Sequence, residues 1–445
     1  MAETRIATAA QVEPLPGQKL RAPAADARAL AAERSTITFF GNFGTHNLGN
    51  ESTLRAIVES VRRHRPGIAI NCVCPGPEDA TADHGIPAVP MSYRYSADFQ
   101  LKARKVSNNF IRTFLRRVLV RVPLELVEWV KAFRSLKGTR MLVMTGTGML
   151  GDFGIGPFDL HYEILKWSLL AKVRGAKVFF VSVGAGPIDS RISRWLVKRA
   201  VALADYRSYR DDFSRSYLAS IGVDTRRDLV YPDLAFGLRP EISLPQGQKA
   251  QPRVVGIGLM DYFGKRWTAS SESVHADYVK QMAGFCAWLL QRGYTLRLLI
   301  GDLSYDKHIK ADVLAAIRGL HPDLPPSRII DEPVTSIESL VAQLSATDLL
   351  VGTRFHNLLL ALLLNKPVVA LSYHEKIDSL MAGVEMGPYV QSIPALRVEG
   401  LVERFTALEK NAEAIRALVA RKVDEARAAL DRQYADIFAR LSSKG

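Results

Sequence analysis

Residues 348–373 read DLLVGTRFHNLLLALLLNKPVVALSY. Residues 348–353 have the length and apolar content of a short buried strand. A helix follows over 355–365, continuously apolar from Leu358 to Leu364, and Lys366-Pro367 ends it. The next buried strand spans 368–371. This order predicts a βαβ unit, and so a parallel sheet. In such a unit the turn from strand to helix lies at the carboxyl end of the strand, where ligands bind. The free N–H groups of the helix start favour an anion there. Arg354 and His356 flank that point. A guanidinium and an imidazole two residues apart predict a phosphate or carboxylate site with a proton donor beside it. The plainer alternative is a solvated arginine at a helix start next to a partly buried histidine.

The remaining chain sets the bounds. Its 445 residues suit two or three domains, and 48% are hydrophobic, so sizeable cores are expected. No apolar run reaches about 20 residues, so no transmembrane helix is expected. Residues 1–35 lack an apolar signal core and are rich in Ala, Arg, Pro and Gln, which predicts a flexible tail. Three cysteines cannot build a disulfide framework. Cys72 and Cys74 share one face of a predicted strand. They and Cys286 are expected as small core residues ahead of metal ligands or a disulfide, which fits a reducing cytoplasm. The net charge of +14 is concentrated: residues 101–140 hold eleven Lys/Arg against two Glu. Neither zinc-finger spacing nor interleaved aromatics accompanies it, so nucleic acid is not an expected partner.

A strand at 36–40 runs into GNFGTHNLGNES (41–52), followed by a helix over 51–64 and a strand over 68–73. The glycines match neither the dinucleotide fingerprint nor a Walker loop. They admit a ligand close to the backbone, or simply form a tight turn. A strand at 141–145 leads to GTGMLGDFGIGP (146–157), which contains Gly146, Gly148 and the acid Asp152. So glycine-rich a loop after a buried strand predicts a ligand cradle. A helix (158–173), a strand (177–183), the turn GAGPID and a helix (191–204) come next. YRSYRDD (206–212) then places Arg210 where a short strand feeds a second helix. LVYPDLAF (229–236) closes this half.

The second half repeats the α/β pattern, with strands at 254–259, 295–300 and 328–330 and helices at 274–292, 306–320 and 336–344. After the central unit come a helix at 376–381 and long helical segments to 441, placed to pack across both domains. The predicted class is α/β, with two doubly wound domains. The divisions are a tail (1–35), a first domain (36–238), a linker (239–252), a second domain (253–400) and C-terminal helices (401–445). Within the first domain, 98–137 reads as a basic amphipathic helical insertion. Phe110, Phe114 and Val118 recur at helical spacing, interleaved with Arg112, Arg116 and Arg121, and a second apolar run follows at 124–133. Such a segment either packs on the core with a solvated basic face or lies on an anionic membrane surface.

Residues 36–381 resemble the polysaccharide pyruvyl transferases. The resemblance rests on GNFGTHNLGNES, TGTGMLGD, SVGAGPI, SYRDDFSRSYLASIGV, PDLAF and VGTRFHNLLLALLLNKPVVALSY, in that order. It implies two Rossmann-like domains facing a cleft, as in GT-B glycosyltransferases. It also implies transfer of the pyruvyl unit of phosphoenolpyruvate onto two hydroxyls of a sugar, giving a pyruvate ketal. The acceptor would be a cell-surface polysaccharide or its lipid-linked precursor, and the donor is a substrate, with no further cofactor expected.

On this resemblance Arg210, Arg354 and His356 fall at the donor site. Phe355 supplies a backbone amide, and Asp152, Gly146 and Gly148 lie in the glycine-rich wall. Asn47, Asn50 and Glu51 lie on the acceptor side. Planar guanidiniums suit a carboxylate and a phosphate. A histidine titrating near neutrality suits the proton transfers. Two departures stand out. The family's first loop reads Asn-x-Gly-Asp-Glu, but here Asn50 replaces the Asp and its amide cannot act as a carboxylate. Thr145 and Thr147 interrupt a wall that the family writes Gly-Gly-Gly. Two competing readings are a nucleotide-sugar glycosyltransferase, with Glu375 as its acid, and a non-catalytic member in polysaccharide assembly.

Overall fold

The computed structural model describes residues 36–92, 122–151, 156–240, 253–264, 271–303, 306, 308–323 and 325–442. The tail, most of the basic insertion, most of the linker and Asp152 lie outside the described residues. The first domain carries β1 (Thr36–Phe40), α1 (Leu48–His64), β2 (Ala69–Cys74), α2 (Pro77–His84), β3 (Ala88–Pro90), α3 (Val122–Ser135) and β4 (Thr139–Met144). It continues with α4 (Tyr162–Val173), β5 (Lys177–Val183), α5 (Arg191–Ala202), β6 (Tyr206–Tyr209), α6 (Asp212–Ser220) and β7 (Leu229–Val230). The second carries β8 (Val254–Gly258), α7 (Ser271–Gln291), β9 (Thr295–Leu299), α8 (Ile309–Leu320), β10 (Ile329–Ile330) and α9 (Ile337–Ser345). It ends with β11 (Leu349–Gly352), α10 (Phe355–Leu363), β12 (Val368–Ser372), α11 (Glu375–Gly383), β13 (Val390–Ser392), α12 (Val398–Lys410) and α13 (Ala412–Ser442).

Two sheets result, ordered β3-β2-β1-β4-β5-β6-β7 and β10-β9-β8-β11-β12-β13. Every pairing of named strands within each sheet is parallel. The α/β class and the two doubly wound sheets read from the sequence hold. Strand periodicity splits the first core between the two faces of its sheet. Phe39, Cys72, Met141, Val143 and Phe179 pack on one face; Phe40, Val73, Leu142, Met144 and Phe180 pack on the other. Cys72, Cys74 and Cys286 are buried free thiols. Burial pushes the Cys286 thiol up to about 12, far from the range of a reactive thiolate.

α10 explains its own sequence. A helix apolar all round must be buried all round. It lies against β11 and β12 of its own sheet and also touches α1 of the first domain and α13. Leu358, Leu359, Leu360, Ala361 and Leu362 are fully buried, and each such leucine contributes about 1.5–3 kcal/mol. α13 runs past both domains, as expected. Its Arg416 donates to the Asp348 carbonyl in the second domain. Its Gln433 accepts from Ser182 at 3.2 Å and donates to Ser208 at 2.7 Å in the first.

Several boundaries differ from the sequence reading. α1 begins at Leu48 because the Asn47 side chain accepts from the amides of Gly49 and Asn50. α8 begins at Ile309, where a start at 306 was expected, because Asp306 is drawn into the domain interior. The 158–173 helix is a π-turn over Pro157–His161 followed by α4. Of the insertion, α3 is described and accounts for the apolar run at 124–133, while 98–121 lies outside the described residues.

Candidate active site

The carboxyl ends of the two sheets face one another, and a cavity of about 140 Å³ lies between them. From the first domain it is lined by Asn47, Asn50, Gly148, Gly184 and Arg210. From the second it is lined by Arg354, Phe355, His356, Asn357, Tyr373 and Lys376. The turns after β11 and β12 supply the second set, and the turns after β1, β4, β5 and β6 supply the first. Neither domain forms the cavity alone.

Arg354 is the N-cap residue of α10, with extended backbone. Its Nε donates to Asp306 at 2.8 Å, and its Nη2 donates to the other oxygen of the same carboxylate. Asp306 is fully buried and also accepts from the backbone amides of Asp261 and Asp302, each at 3.1 Å. Burial works against the Arg354 charge, but Asp306 outweighs it and holds the guanidinium above its ordinary value. Arg354 therefore reaches the cavity as a charge fixed in position. One edge of its fork, Nε with Nη2, is taken by Asp306, and Nη1 has no recorded bond among the described residues.

Arg210 comes from the far wall. Its Nη1 lies 3.3 Å from Asp233, its Nε 3.6 Å from Asp211, and its Cζ 5.0 Å from the centre of the Phe355 ring across the domain boundary. Gly184 makes this placement possible, because a Cβ there would lie 2.6 Å from Arg210 Cζ. Gly148 lies beside the guanidinium, whereas Gly146 packs against the Ser182 carbonyl and Leu234. Lys376 lies over the Tyr373 ring at 5.1 Å and, among the described residues, has no carboxylate partner. The Tyr373 phenol is pulled below its ordinary value. Burial raises it, but Lys376 and Arg354 outweigh burial.

His356 is half-buried, and its Nε2 is fully buried without a hydrogen-bond partner. Its pKa lies well below the ordinary imidazole value. Burial is the largest cause, and repulsion from Arg210 and Lys376 adds to it. The ring is thus neutral at neutral pH, where the sequence reading had it titrating there. Asn357 is fully buried, and both polar atoms of its side chain are also without partners. Buried polar groups are normally satisfied. Two such groups lie together in the lining of a cavity that also holds Arg210, Arg354 and Lys376.

The acceptor-side residues separate. Asn47 donates to Asp302 of the second domain at 2.9 Å while capping α1. Asn50 lines the cavity and donates to the Asn42 carbonyl at 3.0 Å, a bond the family's Asp could not make. Glu51 turns away from the cavity. One oxygen accepts from the Gly44 amide at 2.9 Å, and the other lies 3.0 Å from His84 Nε2, both side chains being buried. Glu375 lies 3.4 Å from His374 and is not among the cavity residues. Among the described residues, no group of His, Cys, Asp and Glu is placed to hold a metal.

Sequence reasoning missed Asp306, Tyr373, Asn357, Lys376 and Gly184. For Tyr373, Lys376 and Gly184 there was a signal: each lies within a few residues of a strand's carboxyl end.

Gly49 ties the halves together. A Cβ there would lie 1.9 Å from His356 Nδ1, so Gly49→Ala must displace the imidazole or part the domains. Overpacking of this kind costs about 1–3 kcal/mol. The variant should melt lower than the parent and lose activity, as read by thermal denaturation beside an initial-rate assay. Parent-like values in both would show that His356 relaxes freely.

The family model for polysaccharide pyruvyl transferase matches residues 47–375. The amylovoran biosynthesis protein AmsJ of Erwinia amylovora is 20% identical over 431 residues, covering 90% of this chain and 99% of that one. Among solved structures, UDP-GlcNAc 2-epimerase from Neisseria meningitidis aligns with a TM-score of 0.57 at 12% identity, over 91% of this chain and all of that one. Anabaena Alr3699/HepE aligns with a TM-score of 0.53 at 13% identity, over 91% and 99%. At these identities the structural matches speak to the fold, a GT-B-like pair of Rossmann domains.

Proposed function

The chain belongs to the polysaccharide pyruvyl transferase family, and from that premise we propose that it transfers the pyruvyl unit of phosphoenolpyruvate to two hydroxyls of a saccharide. The acceptor is a cell-surface polysaccharide or its lipid-linked precursor. One observation carries the reading. Arg210, Arg354, Lys376 and an unpartnered His356 converge on one small cavity at the start of α10.

Phosphoenolpyruvate carries a phosphate and a carboxylate. The free amides at the α10 start, including that of Phe355, suit one anionic group. Lys376, uncommitted to any carboxylate, and the cavity-facing edge of Arg210 suit the other. Arg354, fixed by Asp306, adds charge without needing to move. The reaction then requires a proton on C3, attack of a sugar hydroxyl on C2, departure of phosphate, and attack of a second hydroxyl on the same carbon. Each hydroxyl releases its proton as its bond to C2 forms. A neutral imidazole takes such a proton at Nε2. The bound donor's negative charge offsets Arg210 and Lys376 and stabilises the imidazolium that results. The unpartnered Asn357 amide would suit an oxygen of donor or acceptor.

Thermal denaturation with phosphoenolpyruvate, set against UDP-, GDP- and CMP-sugars, tests this. A ligand that binds only the native state raises the melting temperature. Phosphoenolpyruvate should do so and the nucleotide sugars should not. Lys376→Ala is the cleaner variant, because Arg354→Ala would also leave Asp306 buried and unpaired. Losing one charge-assisted contact of about 1.5–3 kcal/mol should weaken donor binding roughly ten- to a hundredfold. Stabilisation by a nucleotide sugar alone would move the reading to glycosyl transfer.

A further inference from the structure

Of the eleven large apolar side chains exposed among the described residues, eight lie on α3 and about the starts of α4 and α5, while Val173, Leu229 and Leu320 lie elsewhere. Val122, Leu124, Leu126, Val127 and Val130 lie on α3, Phe158 on the turn before α4, and Ile192 and Trp195 near the start of α5. Leu126 is 63% exposed, Phe158 58% and Trp195 53%. α3, α4 and α5 pack side by side on one face of the first sheet. α3 leads into a parallel strand, and α4 and α5 each follow one. All three helices therefore begin at the carboxyl ends of the strands, beside the cleft. Val122, Phe158, Ile192 and Trp195 lie at that end, and the exposed apolar arc of α3 runs from it toward the middle of the helix.

α3 is built the wrong way round for an ordinary surface helix. Its two acids turn inward. Glu125 accepts from Tyr162 at 2.8 Å and from the buried Lys166 at 3.3 Å, and the largely buried Glu128 pairs with Lys131 at 2.9 Å. Its outer arc therefore shows valine, leucine and proline, flanked by the exposed Lys131 and Arg134. On α5, Arg191, Lys198 and Arg199 are exposed, with the Arg199 guanidinium 5.7 Å from the Trp195 ring centre. The exposed acids Asp159 and Asp189 oppose these five cations.

We infer that this face docks on an anionic lipid surface, with the α3 arc, Phe158 and Trp195 entering the headgroup boundary and the cations meeting lipid phosphates. Apolar side chains rimmed by Lys/Arg, with an aromatic at each side, are what an interfacial surface requires. The docked orientation holds the cleft mouth toward the bilayer, where an acceptor carried on a lipid would present its sugar. The geometry stands whether or not the transferred group is pyruvyl.

Sedimentation of the full chain with vesicles of phosphatidylcholine alone, or mixed with phosphatidylglycerol, tests it. The protein should pellet with the mixed vesicles and stay in solution with phosphatidylcholine, and added salt should release part of it. The exposed triple variant Leu126→Ser, Val130→Ser, Trp195→Ser should bind mixed vesicles at least about tenfold more weakly. Its melting temperature and its stabilisation by phosphoenolpyruvate should be unchanged, which separates this surface from the cavity. Parent protein left in solution at low salt would overturn the proposal. So would equal binding to both vesicles, or a triple variant that pellets like the parent.

Discussion

His356→Ala should keep phosphoenolpyruvate binding and lose turnover by about 10²–10⁴-fold, the usual contribution of a positioned acid/base group. The side chain makes no hydrogen bond through Nε2, so its removal breaks no described structural contact of that atom. It also removes a group whose protonation is opposed by burial, Arg210 and Lys376. The sign for stability follows. A histidine whose folded pKa lies below its unfolded value, about 6.5, favours folding only while it is neutral. That contribution fades as pH drops from the unfolded value through the folded one. His356→Ala should thus lose less stability than the parent on acidification. A thermal shift with phosphoenolpyruvate, a rate with an acceptor saccharide and two melting curves on either side of pH 6.5 would decide it. Near-normal turnover would remove His356 from the chemistry.

Asp306→Ala should be the most destabilising single change near the site. The carboxylate is fully buried and accepts from Arg354 twice and from two backbone amides. Its loss orphans those amides and leaves the guanidinium, only 21% exposed, without its counter-ion. Breaking a buried pair by removing one partner costs about 3–5 kcal/mol. At roughly 2–4 °C per kcal/mol for domains of this size, the melting temperature should fall by about 10 °C. Asp306→Asn, which keeps the shape and one acceptor oxygen, should fall less. If Asp306→Ala melts within a degree or two of the parent, the Asp306–Arg354 pair is not what positions the α10 start.

The sheet order follows from features confined to short windows. The apolar strands, the glycine turns and the Lys366-Pro367 break are all local, and they sufficed for two doubly wound domains. Arg210 and Arg354 were noticed for the same reason, as each marks a strand-to-helix turn. What was not legible depends on distant partners. Asp306 lies 48 residues before Arg354, and nothing in its own surroundings says that it folds inward to meet it. Glu51 looked like a cleft residue from its loop, yet His84, on the next helix, claims it. The depressed pKa of His356 is likewise a product of assembly, because Arg210 reaches it from the other domain.

The cavity between the sheets is a property of the seam, and this bears on how such chains diversify. Gly49 makes room for His356, Asn47 reaches Asp302, Phe355 lies under Arg210, and α13 straps both sheets. A chimaera that grafts one half of this chain onto the other half of a distant relative would mismatch all four junctions at once. The cavity as built here therefore depends on both halves being matched. A rim residue that touches only its own half can change without an answering change in the other.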